Sequence, residues 1–591
     1  MGKHRTIKKI EGKEDINKDI DRITSCLLTI LHVLVFSMIP ILLFYLMECF
    51  EHNAYDEVRS QAQLYNVFLF ELIAWLLFFV TGSGRAALRI ETGIAFVYGV
   101  VNHYVMVFRS TPLVPWDIFS IRTAASVAGN YDFTPTNEFL MLCGIFVLVF
   151  LLLHFVKLKF PYGMFLRVIP TICIGLILCT FVNLLWDDDF QSDSYLYPFL
   201  FTPAHMTKVN GMAVTFAMNM EYVYVDKPDG YSKKKAEELL KEYTVSDAEK
   251  EYLQAEEYPN IIVIMNEAFS DLSVLGDFKT NKDYMSFIHS LQKGHPNTVT
   301  GNMTVSVCGG NTANTEFELL TGHTMDYFPV GSIPYQQYIS GEIPSVASQL
   351  KELGYATYGM HPYNSTGWSR DKVYPWLGFD KSYFVKDFTK RRYIRNYVSD
   401  RSAYEKIIEV YENKAEDTPA FIFQVTMQNH GGYTGEDKNF TSDVHAEDLN
   451  SAQLDKYLSL MKISDQELKR LVDYFKSEQE KTLIVFFGDH QPSDAVVRPI
   501  LKKNGVNTSN MSVEQAQLRY IVPYVVWANF DMEEEMQADT DISFLMADIL
   551  DRVNLPTTAY QKFLLKLEKN PESEELLEQY EILQYYFMFD N

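Results

Sequence analysis

Thr304-Val-Ser-Val-Cys-Gly-Gly-Asn-Thr-Ala-Asn-Thr-Glu-Phe-Glu-Leu-Leu-Thr-Gly322 joins a β-branched run to a helical pattern through a double glycine. The run 304–307 predicts a strand and Gly309-Gly310 a tight turn. Ala313, Phe317 and Leu320, at helical spacing, predict a helix opened by Asn311-Thr312. Such a turn lifts the Thr312 hydroxyl to a helix mouth, where free N–H groups and the positive dipole end favour an anion. Taken alone, Thr312 reads as an ordinary N-cap residue. A threonine hydroxyl becomes a useful nucleophile only when a base or a metal ion helps it ionise.

The rest of the chain supplies metal ligands. Tyr258-Pro-Asn-Ile-Ile-Val-Ile-Met-Asn-Glu267 is a short apolar run closing on a carboxylate, and Thr482-Leu-Ile-Val-Phe-Phe-Gly-Asp-His-Gln491 closes on Asp489-His490. Both read as buried parallel strands. In doubly wound sheets the ligand sits beyond the carboxyl ends of the strands, where Glu267, Asp489 and His490 fall. One hydroxyl, two carboxylates and one imidazole make a hard, mixed site suited to one divalent ion, Mn²⁺, Mg²⁺ or Zn²⁺. Further strands are expected at 356–360, 420–427 and 520–527, separated by helices such as 345–353 and 452–478, which argues an α/β domain with a largely parallel sheet.

At 591 residues the chain exceeds one core. Its residues are 47% apolar, but the first 190 or so are greasy and the remainder polar and acidic. A formal charge of −24 argues against nucleic acid as a partner, although local basic clusters could still bind phosphate. The six cysteines lie mostly in apolar segments without a C-x-x-C pair, so no disulfide framework or zinc knuckle is implied.

Apolar runs at 26–47, 66–81, 90–107, 138–156 and 168–186 predict five transmembrane helices. The first is too long for a signal-peptide core. Lys3, Arg5, Lys8 and Lys9 before it, Arg85 and Arg89 between spans two and three, and Lys157, Lys159 and Arg167 between four and five mark the cytoplasmic side. The C-terminal part is therefore expected outside the cell. Glu71 and Glu91 near span ends read as snorkelling to the headgroups. Four segments follow: a transmembrane domain (1–190), a helical connector (191–257) with helices at 233–243 and 246–253, a catalytic domain (258–560), and a C-terminal segment (561–591) that packs back on it.

Asn266-Glu267, Gly310-Asn-Thr-Ala-Asn-Thr-Glu316, Gly367-Trp-Ser-Arg370, Gln428-Asn-His-Gly431 and Gly488-Asp-His490 together resemble the lipoteichoic acid synthase and phosphoglycerol transferase family of the alkaline phosphatase and sulfatase superfamily. The resemblance implies a metal held by Glu267, Thr312, Asp489 and His490 and a covalent phosphothreonine at Thr312. It implies a glycerol phosphate pocket lined by His361, Trp368, Arg370 and His430. Arg370 offers a bidentate fork for phosphate and Trp368 a flat wall for glycerol; His430 is a candidate acid or base. The family pattern selects Thr312 over Thr315. The implied reaction moves glycerol phosphate from phosphatidylglycerol, or a related phospholipid, to a glycerol phosphate polymer or glycan at a bacterial cell membrane. A phosphoethanolamine transferase, a surface phosphodiesterase and a non-catalytic membrane sensor are the alternatives. Cys308 would suggest a formylglycine-type sulfatase, but those enzymes carry Pro and Arg just after the cysteine, and Gly309-Gly310-Asn311 follows here.

Overall fold

The run Asn260–Asn266 has no solvated face: Ile261, Val263 and Met265 enter one hydrophobic core while Ile262 and Ile264 enter another. A strand apolar on both faces belongs in the middle of a sheet covered by helices on both sides. The computed structural model describes residues 2–590 except 110–111, 121–132, 162, 198–202, 224, 245–257, 330–331, 507 and 509–510. The chain divides into two compact units, Met1–Pro115 with Phe133–Val223, and Trp116–Asp132 with Tyr224–Asn591. The division falls inside the stretch expected as a connector.

In the second unit, β1 (Asn260–Asn266), β2 (Thr298–Thr304), β3 (Ala356–Met360), β4 (Lys381–Tyr383), β7 (Ala420–Val425), β8 (Thr482–Gly488), β9 (Ile521–Ala528), β10 (Glu535–Met536) and β11 (Thr540–Asp541) form one sheet. Its order is β10-β2-β9-β8-β1-β7-β3-β4, with β11 also on β2. Of these nine strands only β9 runs against the others, so the sheet is mixed but mostly parallel. β5 (Tyr393–Ile394) and β6 (Tyr397–Val398) make a separate hairpin.

One core is closed by α1 (Thr312–Thr321), α2 (Val346–Glu352), α3 (Arg370–Trp376) and α7 (Ile542–Arg552). The other is closed by α4 (Asp400–Glu412), α5 (Ala452–Phe475) and α6 (Asp494–Lys503). Local signals agree with the packing: Ser345 caps α2 in a reciprocal capping box, and Ser451 caps α5.

The strand expected at 304–307 is displaced. β2 ends at Thr304, because its partner β9 pairs from Thr298 opposite Trp527 to Thr304 opposite Ile521. Val305 and Val307 are buried as loop residues beyond it. The helix expected at 233–243 forms as Lys233–Glu242 with Ser232 as its cap; the one expected at 246–253 lies outside the described residues. Toward the C-terminus, α8 (Ala559–Glu568) and α9 (Glu574–Tyr585) pack within this unit. Tyr580 donates to the Gly322 carbonyl at 2.9 Å and Gln584 to the Thr324 carbonyl at 2.9 Å.

Among the described residues the first unit has five helices long and apolar enough to cross a membrane, Arg22–Glu48, Ser60–Thr81, Gly84–Val107, Asn137–Phe155 and Met164–Leu185. Buried polar groups there have structural work. The helix Met212–Asn219 follows Gly211, which has no side chain to cap it. Glu48 Oε1 instead accepts from the Met212 N–H at 2.7 Å, and Asn66 Oδ1 from the Val214 N–H at 3.0 Å. Glu91 does not snorkel as expected: it is 2% exposed, its carboxylate turned inward.

Candidate active site

Glu267 follows β1 and Asp489-His490 follow β8, and the parallel register sets Asn266 opposite Gly488. Adjacent strands therefore deliver two carboxylates and an imidazole at one level of the carboxyl edge. The approach requires a glycine at 488, since a Cβ there would lie 1.7 Å from the Phe269 carbonyl oxygen. Asp489 Oδ1 is fixed by the N–H groups of Ala268 at 2.7 Å and His490 at 2.8 Å. Its other oxygen, Oδ2, is buried without a hydrogen-bond partner.

One hydrogen bond orients the His490 ring: Nδ1 is 2.9 Å from the Gln491 carbonyl oxygen, which can only accept, so Nδ1 donates there and Nε2 is the nitrogen turned to the carboxylates. Nε2 is also buried without a hydrogen-bond partner, 3.2 Å from Asp489 Oδ2 and 4.0 Å from Glu267 Oε1. One ligand atom from each of Glu267, Asp489 and His490 lies within 4.8 Å of the others. Burial first, and Asp489 next, push the Glu267 carboxyl well above its usual range. Converging acceptors that repel one another, two of them buried without a donor, fit a hard divalent cation.

Thr312 is the first residue of α1, and Asn311 before it holds φ 64° and makes no side-chain cap. The Thr312 hydroxyl points at Glu267 Oε2 from 3.5 Å. The loop that carries it is tied to the loop of Asp489 and His490, because the Gly309 N–H donates to the Gln491 carbonyl at 2.9 Å. Thr315 is engaged elsewhere: its Oγ1 donates to the Asp489 main-chain carbonyl at 2.8 Å.

The other expected residues stand at the ends of β3 and β7. His361 directly follows β3, with Nδ1 3.3 Å from the Val425 carbonyl oxygen. His430 Nδ1 is 3.1 Å from the Tyr397 hydroxyl. Burial, with Arg395 and His490 nearby, holds the His430 imidazole down to about 3, so it is neutral. Trp368 is half-buried and, like Ser369, sits in the left-handed region at φ 55° and 57°. Two successive non-glycine residues in that region store strain directly before Arg370.

Arg370 is turned away from the role expected of its fork. It is 2% exposed, and Nε lies 3.0 and 3.2 Å from the two oxygens of fully buried Glu316. Nη2 also pairs with Glu316, and Tyr374 donates to the same carboxylate at 2.9 Å. Nη1 reaches the Gly367 carbonyl at 3.4 Å.

Several supporting residues carried no role in the sequence reading. Thr426 Oγ1 accepts from the Glu267 N–H at 3.1 Å. Behind β1, Asn266 donates to Asp400 at 2.9 Å and accepts from Asn429 at 2.9 Å, and Ser464 donates to Asp400 at 2.5 Å. This buried network orients the residues flanking Glu267 and His430, and burial raises the Asp400 carboxyl to about 6. Arg395 lies beside His430. Its only signal in sequence is the basic cluster that starts at Lys390.

Strand-end carboxylates, an imidazole and a helix-mouth hydroxyl on a mostly parallel sheet define the α/β class of the alkaline phosphatase and sulfatase superfamily. A family model described as Sulfatase matches residues 259–555, and the chain belongs to that family. A protein of Rhizobium meliloti (strain 1021) named for cyclic beta-1,2-glucan modification is 29% identical over 501 residues, 82% of this chain and 75% of that one. Lipoteichoic acid synthase 1 of Bacillus subtilis (strain 168) is 22% identical over 299 residues, 48% of this chain and 45% of that one. The phosphoglycerol transferase GacH of Streptococcus pyogenes, solved with sn-glycerol-1-phosphate, superposes with a TM-score of 0.50 at 21% identity. The match covers 62% of this chain and 96% of that structure, and marks a shared fold.

Proposed function

We propose that this protein is a membrane-anchored phosphoglycerol transferase whose catalytic unit faces the cell exterior. The observation that carries the reading is the convergence of Glu267, Asp489 and His490 around unpartnered acceptor atoms, with the Thr312 hydroxyl 3.5 Å from Glu267. A divalent cation bound by these residues, Mn²⁺ in our reading, supplies charge stabilisation and lowers the pKa of the threonine hydroxyl.

Thr312 Oγ1 attacks the phosphorus of phosphatidylglycerol. A threonine O–P bond forms, the P–O bond to diacylglycerol breaks, and the threonine proton ends on the diacylglycerol oxygen. In the second step an acceptor hydroxyl attacks phosphothreonine and restores Thr312. His430, beside the Tyr397 hydroxyl, is the candidate acid or base for the acceptor's proton. His361 and Trp368 supply a donor and an apolar wall for the glycerol moiety. Similarity along most of the chain to a protein named for cyclic beta-1,2-glucan modification favours a glycan over a growing glycerol phosphate polymer as acceptor.

The test is incubation of the full-length protein with Mn²⁺ and either phosphatidylglycerol or phosphatidylethanolamine, each labelled in the headgroup. Diacylglycerol release and headgroup transfer with the first lipid alone are expected. Transfer from phosphatidylethanolamine alone would replace this reading with a phosphoethanolamine transferase, and release from neither lipid would remove it.

A further inference from the structure

Two guanidinium groups approach His361 and His430, and they are neutralised differently. Arg370 is held by Glu316 on two of its nitrogens. Arg395 is 6% exposed and meets neutral groups: Nη2 donates to the carbonyls of His430 and, at 3.2 Å, Gly431, and the guanidinium also meets the Tyr397 hydroxyl. Nη1 is buried and has no partner. The guanidinium carbon is 5.2 Å from the ring centres of both Tyr397 and Tyr433. Cation–π contact softens the cost of burying this charge, but it leaves an N–H donor unsatisfied.

The backbone also accommodates this side chain at a cost. Arg395 and Asn396 form the two-residue turn between β5 and β6, and Arg395 holds φ 55°, a conformation for which glycine is the usual choice in tight hairpins. Asn439 holds the turn by donating to the carbonyls of Tyr393 at 3.0 Å and Arg395 at 3.1 Å. A strained turn that buries an arginine with one free nitrogen is best explained by what that nitrogen binds. The site is continuous with the transfer chemistry, because the carbonyl that Nη2 grips belongs to His430, whose ring meets the Tyr397 hydroxyl.

We propose that Arg395 is a substrate-binding residue, whose Nη1 donates to a non-bridging phosphate oxygen of the bound ester on the His430 side of the site. Which phosphate ester is bound rests on the transferase reading; recognition of phosphate does not. Both a monoester end and a phosphodiester headgroup offer that oxygen, and the measurement separates them.

Binding of sn-glycerol 1-phosphate, of glycerophosphoglycerol as the diester, and of glycerol as the uncharged control is measured by calorimetry. Full-length wild type, Arg395→Gln and Arg395→Lys are compared, with Mn²⁺ affinity and thermal unfolding followed in parallel. Arg395→Gln is expected to weaken one or both esters about ten- to a hundredfold while Mn²⁺ and glycerol stay within about twofold, with Arg395→Lys between. The ester that weakens identifies the form recognised. Unchanged ester affinity in Arg395→Gln overturns the proposal. So does absence of ester binding by wild type, or loss of Mn²⁺ affinity and thermal stability together in both variants. If wild type binds ester through Arg395 yet releases no diacylglycerol from any lipid, the transferase reading falls and this proposal stands. If wild type transfers but Arg395→Gln binds ester normally, the reverse holds.

Discussion

Arg370 and Glu316 form a buried two-pronged ion pair, with Tyr374 donating to the same carboxylate. Removing one partner strands a charge in the core beside the site. Arg370→Met alone, or Glu316→Leu alone, is expected to cost about 3–5 kcal/mol, whereas the double variant recovers most of that loss. Thermal or denaturant unfolding of the four proteins checks this. Additive losses in the double variant would mean that the two side chains are not coupled.

Gly488 admits the Phe269 carbonyl where any Cβ would collide with it. Gly488→Ala should destabilise the fold by about 3 kcal/mol or more, at or beyond the usual range for overpacking. Because Asp489 and His490 follow directly, Mn²⁺ affinity should fall as well. Calorimetry on the purified variant reads both, and wild-type behaviour would mean that the Phe269 loop yields without strain.

Thr312 and Thr315 separate by partner. Thr315→Val removes one hydrogen bond to the Asp489 carbonyl, so a cost of about 1 kcal/mol with transfer retained is expected. Thr312→Ala should lower transfer by about 10³-fold or more while Mn²⁺ still binds. Peptide mapping after reaction with headgroup-labelled lipid should find the label on Thr312. Label on Thr315 would overturn the assignment.

His289 lies 2.8 Å from Asp283 and 3.4 Å from Asp271, and the hydrogen bond to Asp271 leads in raising the imidazole to about 9. The folded state therefore holds this proton more tightly than the unfolded chain, whose histidine titrates near 6.5. The stabilisation is complete below that value and is lost as pH rises through about 9. The difference in Tm between wild type and His289→Gln should shrink from pH 6 to pH 10. A difference that grows with pH would reverse the sign.

The arrangement of Lys and Arg around the five spans predicts that a reporter fused after Asn591 is active only if it requires export. Cytoplasmic activity of that fusion would contradict the orientation and remove an exterior reaction with it.

The strands at β1, β3, β7, β8 and β9 are legible in sequence because each is a short apolar run between turn residues. The carboxylates of Glu267 and Asp489 are legible because they close two of those runs. Five long apolar stretches likewise announce themselves through composition alone, since a bilayer demands length and apolarity and little else. The start of α1 follows from its glycines and from the spacing of Ala313, Phe317 and Leu320.

Only the tertiary structure decides partners. A guanidinium fork looks the same whether it will meet a substrate phosphate or Glu316, which stands 54 residues away in sequence. β2 is located by its pairing with β9 rather than by its own mixed residues, and the β-branched run after it becomes a buried loop. The need for glycine at 488 arises from the Phe269 carbonyl on another loop, and the unpartnered nitrogen of Arg395 arises from what its hairpin turn leaves uncovered. Local pattern determines which segments are buried, because burial is set by each residue's own affinity for water. Which buried groups meet is set by register and crossing between distant segments, and no local pattern carries that.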